Sequence, residues 1–284
     1  MTTPDYTRNC ELKPGMIFPE TMRRYAVGIE YNGNPFNGFQ KQRTSATTVQ
    51  ASLELALSKV ANEEITTVCA GRTDARVHAT GQVIHFDTVA ERPLKAWVEG
   101  GNSNLPDQIR VTWCRNVVPA FHARFCAETR TYRYIIYCAP IKTAVLINQV
   151  TWTAFNLDLE QMQVAANYLV GSHDFSSFRS AQCQATNPIR TVHAARFVRR
   201  RDLIVFEITA NAFLHHMVRN IVGVLMAIGR GANPVSWMPE LLHQRDRTKA
   251  GVTAPPYGLY LVAVTYPEHF GIPRLAKGPL FIAD

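Results

Sequence analysis

The sequence predicts an α+β protein made of two mixed subdomains. Helical and strand patterns alternate in a similar order in the two halves of the chain. The length of 284 residues suits one large domain or two of ordinary size, and a hydrophobic content of 46% excludes a disordered chain. We expect a flexible extension over residues 1–22, a first subdomain over 23–145 and a second over 146–284.

The elements of the first subdomain follow from periodicity and turn residues. Apolar residues recur at helical spacing from 47 to 60, where Thr47 or Thr48 can cap the helix, and a second helix is expected over 94–101. Runs rich in β-branched and aromatic residues predict strands over 24–30, 65–70, 82–87, 109–118 and 131–138.

The second subdomain repeats this mixture. Asp158 can cap a helix, with Gln161 in the capping-box position. Two strands are expected around the polar turn at 199–202, followed by two helices and a last strand. The expected ranges are 192–198, 203–209, 216–228, 234–243 and 258–266.

The charge balance indicates a polyanionic partner. Only 18% of the residues are charged, yet 30 are basic and 22 acidic, which leaves a net charge of +8. Of the basic residues, 23 are arginines, whose guanidinium group offers a planar fork for phosphate and a flat face for bases. We therefore expect a nucleic-acid partner, and a basic pI that only aids solubility is the alternative.

The N-terminus and the cysteines argue against other classes. No apolar stretch follows a basic start, so a secretory signal is not expected, and the longest apolar run, 221–229, is far shorter than the ~20 residues of a membrane span. The six cysteines form no CxxC pair, which argues against a zinc cage or a redox motif. We expect a cytoplasmic protein with reduced thiols and no membrane or metal partner.

The segment 70–81 carries the strongest chemical signal. It joins two expected strands, and it is longer than a tight hairpin requires. Asp74 lies two residues from both Arg72 and Arg76, and nearby positive charge favours an ionised carboxylate. Such a group can act as a nucleophile or a general base. The alternative is a turn-capping Asp74 whose charge is balanced by Arg72.

The octet at 71–78, GRTDARVH, resembles the GRTDAGVH signature of the tRNA pseudouridine synthase family, in the branch called TruA. Further segments are similar to the family in the same order, from about residue 23 to the C-terminus. They are IEYNG at 29–33, GFQK at 38–41, NLP at 104–106, FHARF at 121–125, RTYRY at 130–134, DFSSFR at 174–179, FLHHMVRN at 213–220 and GLYL at 258–261.

The resemblance implies a fold and an activity. The family isomerises uridine to pseudouridine in tRNA, and this branch acts at positions 38, 39 and 40 of the anticodon stem-loop without a metal or an organic cofactor. The implied fold has two ferredoxin/RRM-like subdomains, antiparallel sheets side by side and a central active-site cleft. The implied assembly is a homodimer that embraces tRNA.

The resemblance also implies residue roles. Asp74 matches the catalytic aspartate, which attacks the flipped uridine or removes a ribose proton, and Arg72 matches an arginine for RNA binding and base eversion. Tyr132 matches the tyrosine that stacks on the target base, Arg219 the arginine that pairs with the aspartate, and Leu259 a pocket residue.

Ordinary structural roles are the alternatives for three of these residues. Tyr132 lies on an expected strand and can be a core aromatic, and Leu259 can be a core leucine. Arg219 lies in a helix that is apolar on nearly every side, so a buried guanidinium needs a partner, for which Asp74 is the candidate. The alternative is an Arg219 side chain that reaches solvent.

Several basic residues lie in or beside the matching segments and are candidates for phosphate binding. The candidates are Lys41, Arg43, Arg76, Arg124 and Arg179, with Arg23, Arg24, Arg130, Arg133 and Arg190 in the same class. The turn 199–201 is either a further phosphate site or a solvated hairpin. His215 and His216 diverge on a helix and are expected to face RNA, whereas His78 and His122 are expected to be hydrogen-bonded structural histidines.

Arg76 is the one departure inside the octet, because the family has Gly there. If this position needs a positive φ, a side chain costs about 1–2 kcal/mol. The Arg76 side chain can crowd the uridine pocket or point outward and contact phosphate. The alternative function is therefore a tRNA-binding protein or chaperone without turnover. A third hypothesis is an Asp-nucleophile hydrolase, which requires a second acid or an Asp–His pair.

Overall fold

The computed structural model describes residues 18–42 and 47–282. This part of the chain holds five α-helices and ten strands, so the mixed α+β class is confirmed. It divides into two compact units. The first runs up to Glu128 and resumes at Leu261, and the second comprises Thr129–Tyr260.

The first unit is built on an antiparallel sheet. Its strands and helices are β1 (Arg23–Tyr31), α1 (Val49–Ala61), β2 (Val68–Cys69), β3 (His78–Thr88), α2 (Leu94–Asn104) and β4 (Ile109–Val117). The sheet order is β4–β1–β3, and β2 pairs with β3. Strand β10 (Leu259–Thr265) lies next to β3, and its last residues belong to this unit.

Local signals explain the helices of the first unit. Thr48 is the N-cap of α1, since its hydroxyl accepts from the N–H of Ala51, and Asn62 ends the helix in the left-handed conformation. Tyr25 and Phe86 of the sheet pack against Trp97 of α2, with ring centroids 5.2 and 5.0 Å from the indole.

Aromatic residues from the loop after β4 and from the chain after β10 form a second hydrophobic cluster in this unit. Phe121 lies 5.1 Å from Tyr266 and 5.2 Å from Phe270, ring centre to ring centre. Arg24 holds this loop, because its guanidinium donates to the carbonyls of Pro119 and Phe121 and forms a paired bridge with Asp87.

The second unit contains mainly antiparallel strands and three helices. Its elements are β5 (Thr129–Cys138), β6 (Thr151–Thr153), α3 (Leu159–Asn167), β7 (Gly171–Asp174), β8 (Ile189–Arg200), β9 (Leu203–Ala210), α4 (Met217–Gly229) and α5 (Trp237–Gln244). The order is β5–β9–β8–β7, and β6 pairs in parallel with β5. Asp158 caps α3 as expected, accepting from the N–H of Gln161.

The units are bounded differently from the expected subdomains at 23–145 and 146–284. β5 belongs to the second unit because it pairs with β9 along its length, and the chain from Leu261 returns to the first unit. Among shorter elements, β3 begins at His78 rather than Gln82, and the strand expected over 65–70 contains only Val68–Cys69. β6 and β7 have no periodic signal because they are only 3 and 4 residues long.

In the described ranges, five cysteines are thiols, and three of them, Cys69, Cys114 and Cys126, are buried. A search of the same ranges finds no helix with the length and apolar character needed to cross a membrane.

Candidate active site

The loop that carries Asp74 is held against the segment 36–39 of the first unit by backbone hydrogen bonds. The N–H of Phe39 donates to the carbonyl of Thr73 at 3.1 Å, and the N–H of Arg76 donates to the carbonyl of Phe36 at 3.2 Å. A further hydrogen bond of 3.1 Å from the N–H of Val77 to the carbonyl of Asp74 closes a turn. Asp74 is half-buried at the start of this turn, so its carboxylate is held on a positioned backbone.

Two glycines permit this close approach. Gly38 has a φ of +92°, and a Cβ there would lie 3.0 Å from the carbonyl oxygen of Thr73. A Cβ on Gly33 would collide with the carbonyl of Val77. The N–H of Gly33 donates to Nδ1 of His78 at 3.1 Å, which confirms the structural role expected for this histidine.

Gln82 holds the beginning of the same loop. Its side chain is fully buried in β3, where Nε2 donates to the carbonyl of Gly71 at 2.6 Å and Oε1 accepts from the N–H of Gly71 at 3.3 Å. Sequence reasoning did not single out this residue. Its only signal is one amide within the apolar run of β3, because a buried amide needs partners.

The backbone of Arg76 is in the left-handed region, with a φ of +64°. The position therefore has the geometry that favours glycine, and the conformation is strained for an arginine. The Arg76 and Arg72 side chains are both exposed.

Tyr132 and Leu259 lie in the second unit and are largely buried, with exposed fractions of 7% and 5%. The Tyr132 ring packs edge-on against Phe213 with 5.0 Å between ring centres. This burial is compatible with a pocket wall and with a core position, so both alternatives from the sequence remain.

Arg219 is anchored by the chain that leads to β10. It is half-buried in the first turn of α4, and its Nε donates to the carbonyl of Ala254 at 2.9 Å. The N–H of Ala254 donates back to the carbonyl of Arg219 at 3.1 Å. The Nε–H thus has a protein partner in the second unit.

The basic candidates fall into two groups. Lys41 is 64% exposed and pairs with Glu54 at 3.6 Å, Arg124 is exposed beside Phe125, and Arg179 is half-buried after a short 3₁₀ turn at Ser176–Phe178. Arg43 lies outside the described residues.

In the second group the guanidinium groups bind protein atoms, and their phosphate-binding role stays a prediction. Arg130 donates to the carbonyl of Asn211, and Arg133 pairs with Glu207 at 2.8 Å. In the rest of this group, Arg24 forms a salt bridge with Asp87 and Arg23 forms one with Glu91. Arg190 donates to the carbonyls of Asn187 and Ile189. In the sequence these arginines lie near the motifs, but no local pattern predicts the partners that they bind elsewhere in the chain.

His122 also has the structural role that we expected, since its Nδ1 accepts from the N–H groups of Arg124 and Phe125. The rings of His215 and His216 lie 4.0 Å apart, and both residues are half-buried before α4.

A family model described as tRNA pseudouridine synthase matches residues 28–126 and 165–267. The chain belongs to this family. A tRNA pseudouridine synthase A from Pseudomonas aeruginosa is 56% identical over 92% of this chain and 91% of its own length. A tRNA pseudouridine synthase A from Pseudoalteromonas atlantica is also 56% identical, over 92% of this chain and 99% of its own length. A chain in a crystal structure of a Cbf5-Nop10-Gar1 complex has a TM-score of 0.31 at 10% identity, over 71% of this chain and 45% of that chain.

Proposed function

We propose that this tRNA pseudouridine synthase family member isomerises uridine to pseudouridine in tRNA, with Asp74 as the catalytic aspartate. The observation that carries this proposal is a half-buried Asp74 carboxylate on a clamped loop. The loop lies within the octet that resembles the family signature, and the relatives named above are synthases of this kind.

The chemistry requires an extruded nucleotide, because C1′ and C5 are not accessible in folded RNA. Asp74 attacks the flipped nucleotide or removes a ribose proton, and the bond between C1′ and N1 of uracil breaks. The uracil rotates, a bond forms between C5 and C1′, and the hydrogen on C5 is lost as a proton while N1 gains one. No atom is added to the nucleotide, so this is an isomerisation.

The other roles follow the family correspondence. Arg72 assists RNA binding and base eversion, Tyr132 stacks on the target base, and Leu259 lines the pocket. Arg219 pairs with the Asp74 carboxylate and favours its charged form. The exposure of Arg72 and the anchored Nε of Arg219 are compatible with these assignments.

The finer assignments rest on the same correspondence. The substrate is the anticodon stem-loop at positions 38, 39 and 40, and the assembly is a homodimer of two ferredoxin/RRM-like subdomains per chain with sheets side by side and a central cleft. Phosphates are bound by Lys41, Arg43, Arg76, Arg124 and Arg179.

Asp74→Asn tests the catalytic assignment. With tRNA tritiated at uridine C5, the wild-type chain is expected to release tritium, and Asp74→Asn to lower the rate at least about 10³-fold, because the nucleophile or base is lost. Asp107→Asn is the matched control, since that carboxylate is 94% exposed and pairs only with the neighbouring Arg110 in the described region. Equal release by Asp74→Asn and the wild type would refute the role of Asp74.

The strained backbone of Arg76 favours one alternative, a tRNA-binding protein without turnover. Both functions predict salt-sensitive tRNA binding, but only the synthase releases the C5 hydrogen. Binding without tritium release by the wild type would support the alternative.

A further inference from the structure

The irregular segment 250–255, which we call the clasp, connects a 3₁₀ turn at Arg247–Lys249 to the start of β10. It lies directly against α4. A Cβ on Gly223 would collide with the carbonyl of Val252. Ala254 and Arg219 form two hydrogen bonds, one between their main chains and one from the Arg219 side chain to the carbonyl of Ala254. The clasp therefore supplies a partner of the Arg219 Nε–H.

A polar cluster holds the first part of the clasp. Arg247 donates through Nη1 to the carbonyls of Ala250 and Gly251, at 2.8 and 3.1 Å. Its Nη2 donates to Oγ1 of Thr253 at 3.0 Å and to Oδ1 of Asn220 at 3.2 Å. One arginine thus binds three residues of the clasp and the residue that follows Arg219.

Asn220 connects this cluster to the rest of the second unit. It is buried in α4, where its Oδ1 accepts from the Thr253 hydroxyl at 2.7 Å and its Nδ2 donates to the carbonyl of Phe178 at 2.7 Å. Each of these amide atoms is satisfied by a different segment, so the position of Thr253 relative to α4 is defined.

A buried tyrosine holds the other end of the clasp. The Tyr134 hydroxyl donates to the carbonyl of Pro255 at 2.8 Å and is hydrogen-bonded to Oγ1 of Thr151. Burial raises the pKa of Tyr134, so the hydroxyl remains a donor at neutral pH. Ala254 lies between the Thr253 and Pro255 anchors.

We propose that the clasp positions Arg219 for its carboxylate partner, and that Asn220, Arg247, Thr253 and Tyr134 are positioning residues for the isomerisation. This inference rests on the proposed function of Asp74 and Arg219. An arginine side chain has many rotamers, and a guanidinium group binds a carboxylate well only in a limited range of orientations. The bond from Nε to Ala254 selects the orientation, and the anchors on either side of Ala254 keep its carbonyl in place.

A matched pair at Thr253 tests the proposal. Thr253→Val keeps the shape but loses the hydroxyl, whereas Thr253→Ser keeps the hydroxyl. We expect Thr253→Val to slow single-turnover tritium release by about 10-fold or more, with tRNA affinity changed less than about 2-fold, because the bound geometry rather than binding is altered. Thr253→Ser is expected to restore the rate, and Tyr134→Phe to resemble Thr253→Val.

The pH profile separates positioning from general loss of stability. If Arg219 moves, the partner carboxylate loses a positive neighbour, so the acidic limb of the single-turnover rate shifts to higher pH in Thr253→Val. Val252→Ala is the control, since that side chain is 86% exposed in the same segment.

A folded Thr253→Val with the wild-type rate, an equally slow Thr253→Ser, or an unmoved acidic limb would overturn the positioning role. Failure of the proposed function has a different signature, namely wild-type activity that does not depend on Asp74.

Discussion

At the scale of single residues, Arg76 is one of the non-glycine residues whose backbone departs from local preference. Its φ of +64° is one that L side chains adopt at a cost of about 1–2 kcal/mol. The loop keeps this conformation because hydrogen bonds on both sides of Arg76, to Phe36 and within the turn from Asp74 to Val77, determine the path of the backbone. The strain thus lies two residues from the proposed catalytic carboxylate.

Arg76→Gly is expected to raise the free energy of unfolding by up to about 1 kcal/mol, since relief of strain exceeds the added freedom of the unfolded chain. Arg76→Ala retains a Cβ and should show no such gain. Chemical denaturation measures both. If Arg76→Gly is no more stable than Arg76→Ala, the backbone at this position is not strained. Faster tritium release in both variants would show that the Arg76 side chain, rather than its backbone, slows the reaction.

The buried His85 and the half-buried His122 form a pair of hydrogen-bond acceptors in the first unit. Their rings lie 4.7 Å apart, and Nδ1 of His85 accepts from the N–H of Ala123. Burial lowers the pKa of His85 to about 3 and that of His122 to about 4. His122 and Arg24 also lower the pKa of His85. Arg24 and Arg124 also lower the pKa of His122, where a backbone hydrogen bond and Asp87 act in the opposite direction.

These shifts predict acid sensitivity. Because both pKa values are lower in the folded state, the unfolded state binds more protons below about pH 6.5. Stability is complete above that pH and falls below it, by up to about 1.4 kcal/mol per pH unit for each histidine that stays neutral in the folded state. His85→Asn and His122→Asn retain an acceptor without titrating and should flatten the slope of unfolding free energy against pH. An unchanged slope would show that other groups cause the acid sensitivity.

At the scale of elements, β3 and the loop before it act as one assembly. Glycines in the neighbouring segment allow its backbone to approach the loop closely. The buried amide of Gln82 in β3 binds Gly71, the first residue of the octet. Gln82 is therefore a structural link between the sheet and the octet that contains Asp74.

Gln82→Leu is expected to lower the free energy of unfolding by about 1–3 kcal/mol, since the carbonyl of Gly71 loses its buried partner. It should also slow tritium release, because the start of the Asp74 loop is no longer held. Gln108→Leu, at an exposed position, is the control. Thermal unfolding and single-turnover assays measure the two effects, and a Gln82→Leu protein equal to the control in both would exclude this link.

At the scale of the whole molecule, the net charge of +8 is divided between structural and exposed arginines. Arg24, Arg130 and Arg133 hold strands and loops in place, whereas Arg72, Arg76 and Arg124 are exposed. A count of basic residues therefore does not by itself give the number that contact phosphate.

The salt dependence of tRNA binding tests this division. Arg124→Gln is expected to reduce the slope of log affinity against log salt by about 1, because one phosphate contact is lost. Arg133→Gln should leave the slope unchanged and lower the melting temperature, because it leaves Glu207 with one arginine fewer. The reverse pattern would contradict the assignment of the two residues.

Features that depend on neighbours along the chain could be predicted from the sequence alone. Thr48 and Asp158 cap their helices because each side chain reaches an N–H only three residues away. The octet around Asp74 and the order of the other segments identified the family. Because the family has Gly at the position of Arg76, the sequence also indicated that a positive φ there would be costly for an arginine.

The partners of residues far apart in the chain became visible only in the three-dimensional structure. Strand β5 pairs with β9 and belongs to the second unit for that reason, and Arg24 and Arg133 pair with carboxylates that lie far away in the sequence. The same holds for Gln82 beneath Gly71 and for the clasp beside Arg219. Periodicity reports which face of an element is buried, whereas a hydrogen bond between distant segments depends on the path of the whole chain, which no local pattern specifies.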